Sequence, residues 1–155
     1  MEERAWTVYL AGEIHSNWRK ELTDATIEAD LPVDYNTPVL DHSASDDCGV
    51  AILGAESDDF WKDHKAAKLN AIRTRTLIQE ADLVIVRFGD QYRQWNAAFD
   101  AGFAVANDKP LITYHDSALN HALKEIDAAA LAVTSSTEQI IQVLRYVIDG
   151  TVPRS

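Results

Sequence analysis

Apolar residues follow two rhythms along this chain. Short continuous runs at residues 6–12, 33–35, 83–86, 111–114 and 131–134 alternate with longer stretches where apolar side chains recur every three or four positions. Continuous runs predict strands buried on both faces of a parallel sheet, and the longer recurrence predicts helices. The spacing places helices over 18–29, 59–80, 95–106, 117–130 and 135–150. Local chemistry marks several boundaries. Gly12 stops the first run, Pro110 ends the helix before the fourth strand, Ser135 with Glu138 reads as a capping box, and Gly150 stops the last helix. In the helix over 59–80 the inward stripe mixes Trp61, Leu69, Ile72 and Leu77 with His64, Lys65, Lys68 and Thr76, so part of it faces something polar. Residues 36–59 are polar and punctuated by Pro38, Gly49 and Gly54, and read as a long connection of the kind that is a lid, a binding loop or disordered.

Strands alternating with helices, joined by right-handed crossovers, give an α/β fold. The expected architecture is a three-layer sandwich of flavodoxin or Rossmann-like type, its five-stranded parallel sheet in the order 2-1-3-4-5, with residues 1–155 in a single domain. Ligands in such folds sit at the carboxyl ends of the strands, where the order switches between strands 1 and 3. Two segments are thereby singled out: 11–19 after the first strand and 87–100 after the third.

Charge narrows the class of ligand. The 25 acidic residues outnumber the 14 Lys and Arg, for a net charge of -11, a field that disfavours nucleic acid and anionic membrane surfaces. A small anion remains admissible, because a local cluster of Arg and backbone N–H groups overrides net charge within a Debye length of about 8 Å. One cysteine, Cys48, allows no disulfide within the chain and no thiolate zinc site. The five histidines show no metal-binding spacing, and no P-loop, G-x-G-x-x-G or G-x-S-x-G occurs, so neither metal nor cofactor is expected. The acidic start Met-Glu-Glu-Arg-Ala-Trp is unlike a signal peptide, and no apolar run approaches the roughly 20 residues of a membrane span. A cytoplasmic location is expected.

In the first segment, Gly12, Glu13, Ile14, His15, Ser16, Asn17, Trp18 and Arg19 combine a glycine that permits close backbone approach, a Ser or Asn able to cap the next helix, and an Arg at its start. Such a loop can hold an anion; equally, Ser16 can be only a cap and Arg19 a surface residue. In the second segment, Asp100 stands in an otherwise small and apolar helical stretch, where a carboxylate is costly without a partner or solvent. Asn96 precedes it by one turn and points the same way. The alternative is an Asp that merely favours the helix dipole, with Trp95 in the core.

Val8-Tyr9-Leu10-Ala11-Gly12, Ala81-Asp82-Leu83-Val84-Ile85-Val86, and Ala98-Phe99-Asp100-Ala101-Gly102-Phe103-Ala104 followed by Lys109-Pro110-Leu111-Ile112 resemble the nucleoside 2-deoxyribosyltransferase superfamily. Within it, Tyr9 through Ser16 with Gln94-Trp95-Asn96 and Asp100-Ala101 resemble the YtoQ-like branch. The resemblance implies an N-glycosidic hydrolase or transferase in which Asp100 is the nucleophile on the anomeric carbon. Asn96 and Tyr9 would hydrogen-bond the sugar or the nucleophile, Trp95 or Trp18 would stack on the base, and Gly12, Glu13, His15, Ser16 and Arg19 would line the nucleoside or 5′-phosphate site, with Arg73, Arg87 and Arg93 as further cations. It also implies a homodimer or larger assembly. A non-catalytic nucleotide or nucleotide-sugar binding protein is the alternative. Three positions depart from the superfamily: Asp100 is shorter than the usual Glu by one methylene, and two acidic positions fall near Arg73-Thr74-Arg75 and Gln94. These exchanges shift the expected ligand toward an anionic nucleotide.

Overall fold

The computed structural model describes residues 3–91 and 93–155; Met1 and Glu2 of the acidic start, and Tyr92, lie outside them. The chain runs β1 (Trp6–Gly12), α1 (Trp18–Glu28), β2 (Val33–Asn36), α2 (His42–Leu53), α3 (Asp59–Glu80), β3 (Leu83–Phe88), α4 (Trp95–Ala106), β4 (Leu111–His115), α5 (Lys124–Ala129), β5 (Ala132–Thr134) and α6 (Thr137–Asp149). All the strand pairs are parallel and the order is β2-β1-β3-β4-β5, as the alternation predicts. β1 and β3 pair from Val8 opposite Leu83 to Gly12 opposite Arg87, so both end at the same edge.

The two-residue period of each strand divides the core into two layers. Val8, Leu10, Leu83, Ile85, Ile112 and Tyr114 point to one face and pack against Trp18 and Leu22 of α1 and Ile140 and Leu144 of α6. Tyr9, Ala11, Val84, Val86, Phe88 and Leu111 point to the other, against Ile78 of α3 and Ala97, Ala101 and Ala104 of α4. The small residues of α4 bring its backbone close to the sheet, which decides how deep a side chain on its other face sits. Both central strands are buried from Val8 to Ala11 and from Leu83 to Val86, which accounts for their unbroken apolar runs.

Three expectations are corrected. The supposed long loop holds α2, capped by Asp41, whose side chain accepts the Ala44 N–H at 2.7 Å. Its packing along α3 depends on Gly49, where a Cβ would lie 2.5 Å from the Ala66 nitrogen. Propensity alone hides this helix, because its polar residues suit a loop and α3 supplies the surface it needs. The single helix expected over 117–130 is a 3₁₀ turn, Ser117–Leu119, followed by α5. The last capping box is shifted by one residue: Ser136 accepts the Gln139 N–H, and the Gln139 side chain accepts the Ser135 N–H. No helix among the described residues is long and apolar enough to cross a membrane.

Candidate active site

At the switch point β1 turns away from the sheet at Gly12, whose φ of +103° suits glycine and where a Cβ would lie 2.1 Å from the Arg87 carbonyl oxygen. The Glu13 N–H then donates to that carbonyl at 3.0 Å, which ties the β1–α1 loop to the end of β3. Arg19 lies buried against this turn and donates to the carbonyls of Glu13 (2.6 Å), Leu10 (3.1 Å) and Gly12 (3.3 Å). Burial pulls its pKa down to about 10, opposed by Tyr9 and Glu13, so it stays cationic at neutral pH. Trp18 donates its indole N–H to the Glu13 carbonyl at 2.7 Å and meets Tyr114 edge-on at 6.1 Å. The Arg87 guanidinium lies 4.0 Å above the same Tyr114 ring. Trp18 and Tyr114 belong to the layer on the α1 and α6 side.

On the opposite side of the sheet edge a cleft of about 940 Å³ opens between α2, α3, α4 and the β1–α1 loop. Asp100 of α4 lines it, half-buried, with no hydrogen bond or ion pair among the described residues. Burial pushes its carboxyl pKa up to about 6. Below the cleft, Tyr9 is fully buried on the α4 side of β1, and its hydroxyl is pushed up to about 12. Burial is the main cause; the Thr74 side chain pulls the other way and the Asp100 carboxylate adds to the rise. Thr74 is thus its nearest polar neighbour, although the geometry of a full hydrogen bond to this buried hydroxyl is not met among the described residues.

Asn96 and Trp95 also line the cleft, and Trp95 is 72 % exposed. Gln94 accepts the Gly89 N–H at 3.1 Å, which closes the turn between β3 and α4. Along the α3 wall, Arg73 donates to the Thr37 carbonyl at 3.2 Å, and Arg75 lies 6.0 and 5.9 Å over the rings of Phe99 and Phe103. Arg93 lies 5.9 Å from the Trp95 ring. The facing wall comes from α2, where His42 meets Asp46 at 3.2 Å and its ring lies 6.4 Å from that of His15.

Of the residues singled out by sequence, Asp100, Asn96, Trp95, Gly12, Glu13, His15, Arg73 and Arg93 are brought together on the cleft. Tyr9 lies directly beneath it. Ser16 turns inward and donates its hydroxyl to Glu13. Trp18, Arg19 and Arg87 are placed elsewhere, as a buttress spent on backbone carbonyls and on Tyr114. Neither the stacking role for Trp18 nor the anion role for Arg19 and Arg87 fits that placement. Sequence reading missed His42, Ser45 and Asp46 as cleft residues, because the helix that carries them was read as loop, and missed Asn70; Thr74 was signalled only as a neighbour of Arg73 and Arg75.

Residues 9–148 match the family model described as "Nucleoside 2-deoxyribosyltransferase YtoQ". The chain is 42% identical over 142 residues to the uncharacterized protein YtoQ of Bacillus subtilis (strain 168), covering 92% of this chain and 96% of that one. Among solved structures, a conserved protein from Enterococcus faecalis V583 superposes with a TM-score of 0.63 at 15% identity, over 92% of this chain and 99% of that one. The 2-deoxyribosyltransferase from Bacillus psychrosaccharolyticus superposes with a TM-score of 0.52 at 15% identity, over 87% and 90% of the two chains. At that identity the structural likeness speaks for the fold.

Proposed function

The chain belongs to the nucleoside 2-deoxyribosyltransferase YtoQ family, and from that membership and the chemistry of the cleft we propose that it cleaves an N-glycosidic bond with Asp100 as nucleophile. The observation that carries this reading is a carboxylate with no hydrogen bond or ion pair among the described residues, half-buried on a cleft large enough for a nucleoside. With a pKa of about 6, it is roughly nine-tenths ionised at pH 7 and more basic than a solvated carboxylate. Both properties favour attack on C1′.

In the proposed reaction an Asp100 oxygen bonds to C1′ as the bond from C1′ to the base nitrogen breaks through an oxocarbenium-like transition state, and the bonding pair departs with the base. Attack on C1′ by water, or by the nitrogen of a second base, then releases Asp100 and gives overall retention. In this reading Asn96, one turn before Asp100, hydrogen-bonds the sugar, and the exposed ring of Trp95 stacks on the base. Tyr9 keeps a neutral, buried hydroxyl that feels the Asp100 charge.

The test is release of free base from a panel of nucleosides and their 5′-monophosphates, with and without a second base as acceptor. Wild type releases base from at least one substrate, and Asp100→Ala loses the rate by roughly 10³-fold or more. No release by wild type, or equal release by the variant, rejects the assignment and leaves the cleft as a binding site only.

A further inference from the structure

In the proposed displacement the bond from C1′ to the base breaks on the face of the sugar opposite the attacking carboxylate, and the departing nitrogen carries away an electron pair. A base leaves far more readily when a proton meets that pair, so a group able to give one belongs on the wall of the cleft away from Asp100. α3 packs against both α2 and α4, and these two helices form walls of the cleft. Asp100 stands on α4. The wall that faces it is α2, which brings His42, Ser45 and Asp46 to the cleft.

Most other charged groups on the cleft are unsuited to the task. Guanidinium groups do not give up protons and a solvated carboxylate is already an anion at neutral pH, which sets aside Arg73, Arg75, Arg93 and the exposed Asp63. Glu13 is buried, and its carboxylate already accepts the His15 and Ser16 N–H groups and the Ser16 hydroxyl. Two imidazoles remain, His15 from the β1–α1 loop and His42 from α2, with rings 6.4 Å apart. Imidazole is the side chain that takes up and returns a proton readily near neutral pH. What singles out His42 is Asp46, one turn further along α2, whose Oδ2 lies 3.2 Å from the His42 Nε2. A carboxylate so placed orients the ring and fixes which nitrogen faces it. Nδ1 is left to meet a ligand, for among the described residues His42 makes no other hydrogen bond.

We infer that His42 is the catalytic acid of the proposed reaction, giving its Nδ1 proton to the base as the bond to C1′ breaks, with Asp46 as the residue that positions it. This inference rests on the N-glycosidic reading of the cleft. In the first step an Asp100 oxygen bonds to C1′, the electron pair of the breaking bond goes to the base, and the His42 proton passes to a ring nitrogen, so the base departs uncharged. In the second step water adds its hydroxyl to C1′, its proton passes to the now neutral His42, and the Asp100 carboxylate is released. A second base entering in place of water gives its N–H proton to the same imidazole. Either way the protein returns to its starting state.

The experiment separates protonation from attack by changing the leaving group. The bases of 2′-deoxyguanosine and 2′-deoxyinosine need a proton to leave uncharged, whereas those of their N7-methyl derivatives already carry a positive charge and leave uncharged without one. Base release, corrected for spontaneous loss, is measured on the full chain for wild type, His42→Gln, Asp46→Asn, His15→Gln and Asp100→Ala. His42→Gln is expected to lose about 10²-fold or more on the parent nucleosides and to stay within about threefold of wild type on the methylated pair. That retained rate also shows that the variant folds. Asp46→Asn follows the same pattern with a loss of about tenfold or more on the parents, and Asp100→Ala loses rate on all four substrates. Equal losses by His42→Gln on parent and methylated nucleosides, no loss on either, or the same split found in His15→Gln instead, overturns the inference and leaves Asp100 as the nucleophile. No release by wild type from any of the four, or Asp100→Ala matching wild type throughout, removes the N-glycosidic reading and the role of His42 with it.

Discussion

Asp100→Asn is expected to make the protein more stable at neutral and alkaline pH, and only there. In the unfolded chain this carboxyl ionises near the ordinary 3.8; in the folded chain burial moves it to about 6. Between those values the folded state binds more protons than the unfolded one, so stability falls as pH rises through the interval and the whole cost is present above about pH 6. At about 1.36 kcal/mol for each pH unit, the interval amounts to about 3 kcal/mol at most, and contact with solvent through the cleft brings the expectation to about 2 kcal/mol. Asparagine has nearly the same shape and no charge to desolvate. Asp100→Asn should therefore unfold about 2 kcal/mol later in urea at pH 8, or melt roughly 4–8 °C higher, with the gain gone near pH 4. Equal stability of the two proteins at pH 8, or the same gain at both pH values, would refute the desolvation argument. A gain in stability with loss of base release is the trade expected where a site holds a desolvated charge for use.

Two further predictions concern the frame. Gly12→Ala puts a methyl group into the Arg87 carbonyl at a positive φ, so β1 and β3 must part and the Glu13 N–H bond to Arg87 is lost. A destabilisation of about 3 kcal/mol or more is expected in urea unfolding, with a loss below 1 kcal/mol refuting the close-approach argument. Far from the cleft, His115 is buried at the end of β4; its Nδ1 donates to the Asp116 carbonyl at 2.8 Å and its Nε2 lies 2.9 Å from Asp127 of α5, which also accepts the Thr113 hydroxyl. His115→Ala leaves that carboxylate without its main partner and should cost about 2–4 kcal/mol while nucleoside affinity stays at the wild-type value. An unchanged urea midpoint would show that the pair contributes nothing.

What one chain of residues reveals by itself is mostly local. The unbroken run Leu83–Val86 could only suit a strand covered on both faces, and Asp100 among Ala98, Ala101, Gly102 and Ala104 stood out because burying a charge is costly wherever the helix packs. Period, punctuation and the handedness of crossovers were therefore enough for the sheet order and for the two segments at the switch point. Membership of a segment does not say which side of the sheet a side chain takes. Trp18, Arg19 and Arg87 follow the same loops as the cleft residues, yet the rotational phase of α1 and the alternation of β3 send Trp18 and Arg87 to Tyr114 on the α1 and α6 side and turn Arg19 onto the carbonyls of the β1–α1 turn. Likewise α2 exists because α3 gives it a surface, and His42 and Asp46 reach the cleft only with that helix. Those outcomes depend on contacts between residues far apart in sequence, and for that reason only the tertiary structure decided them.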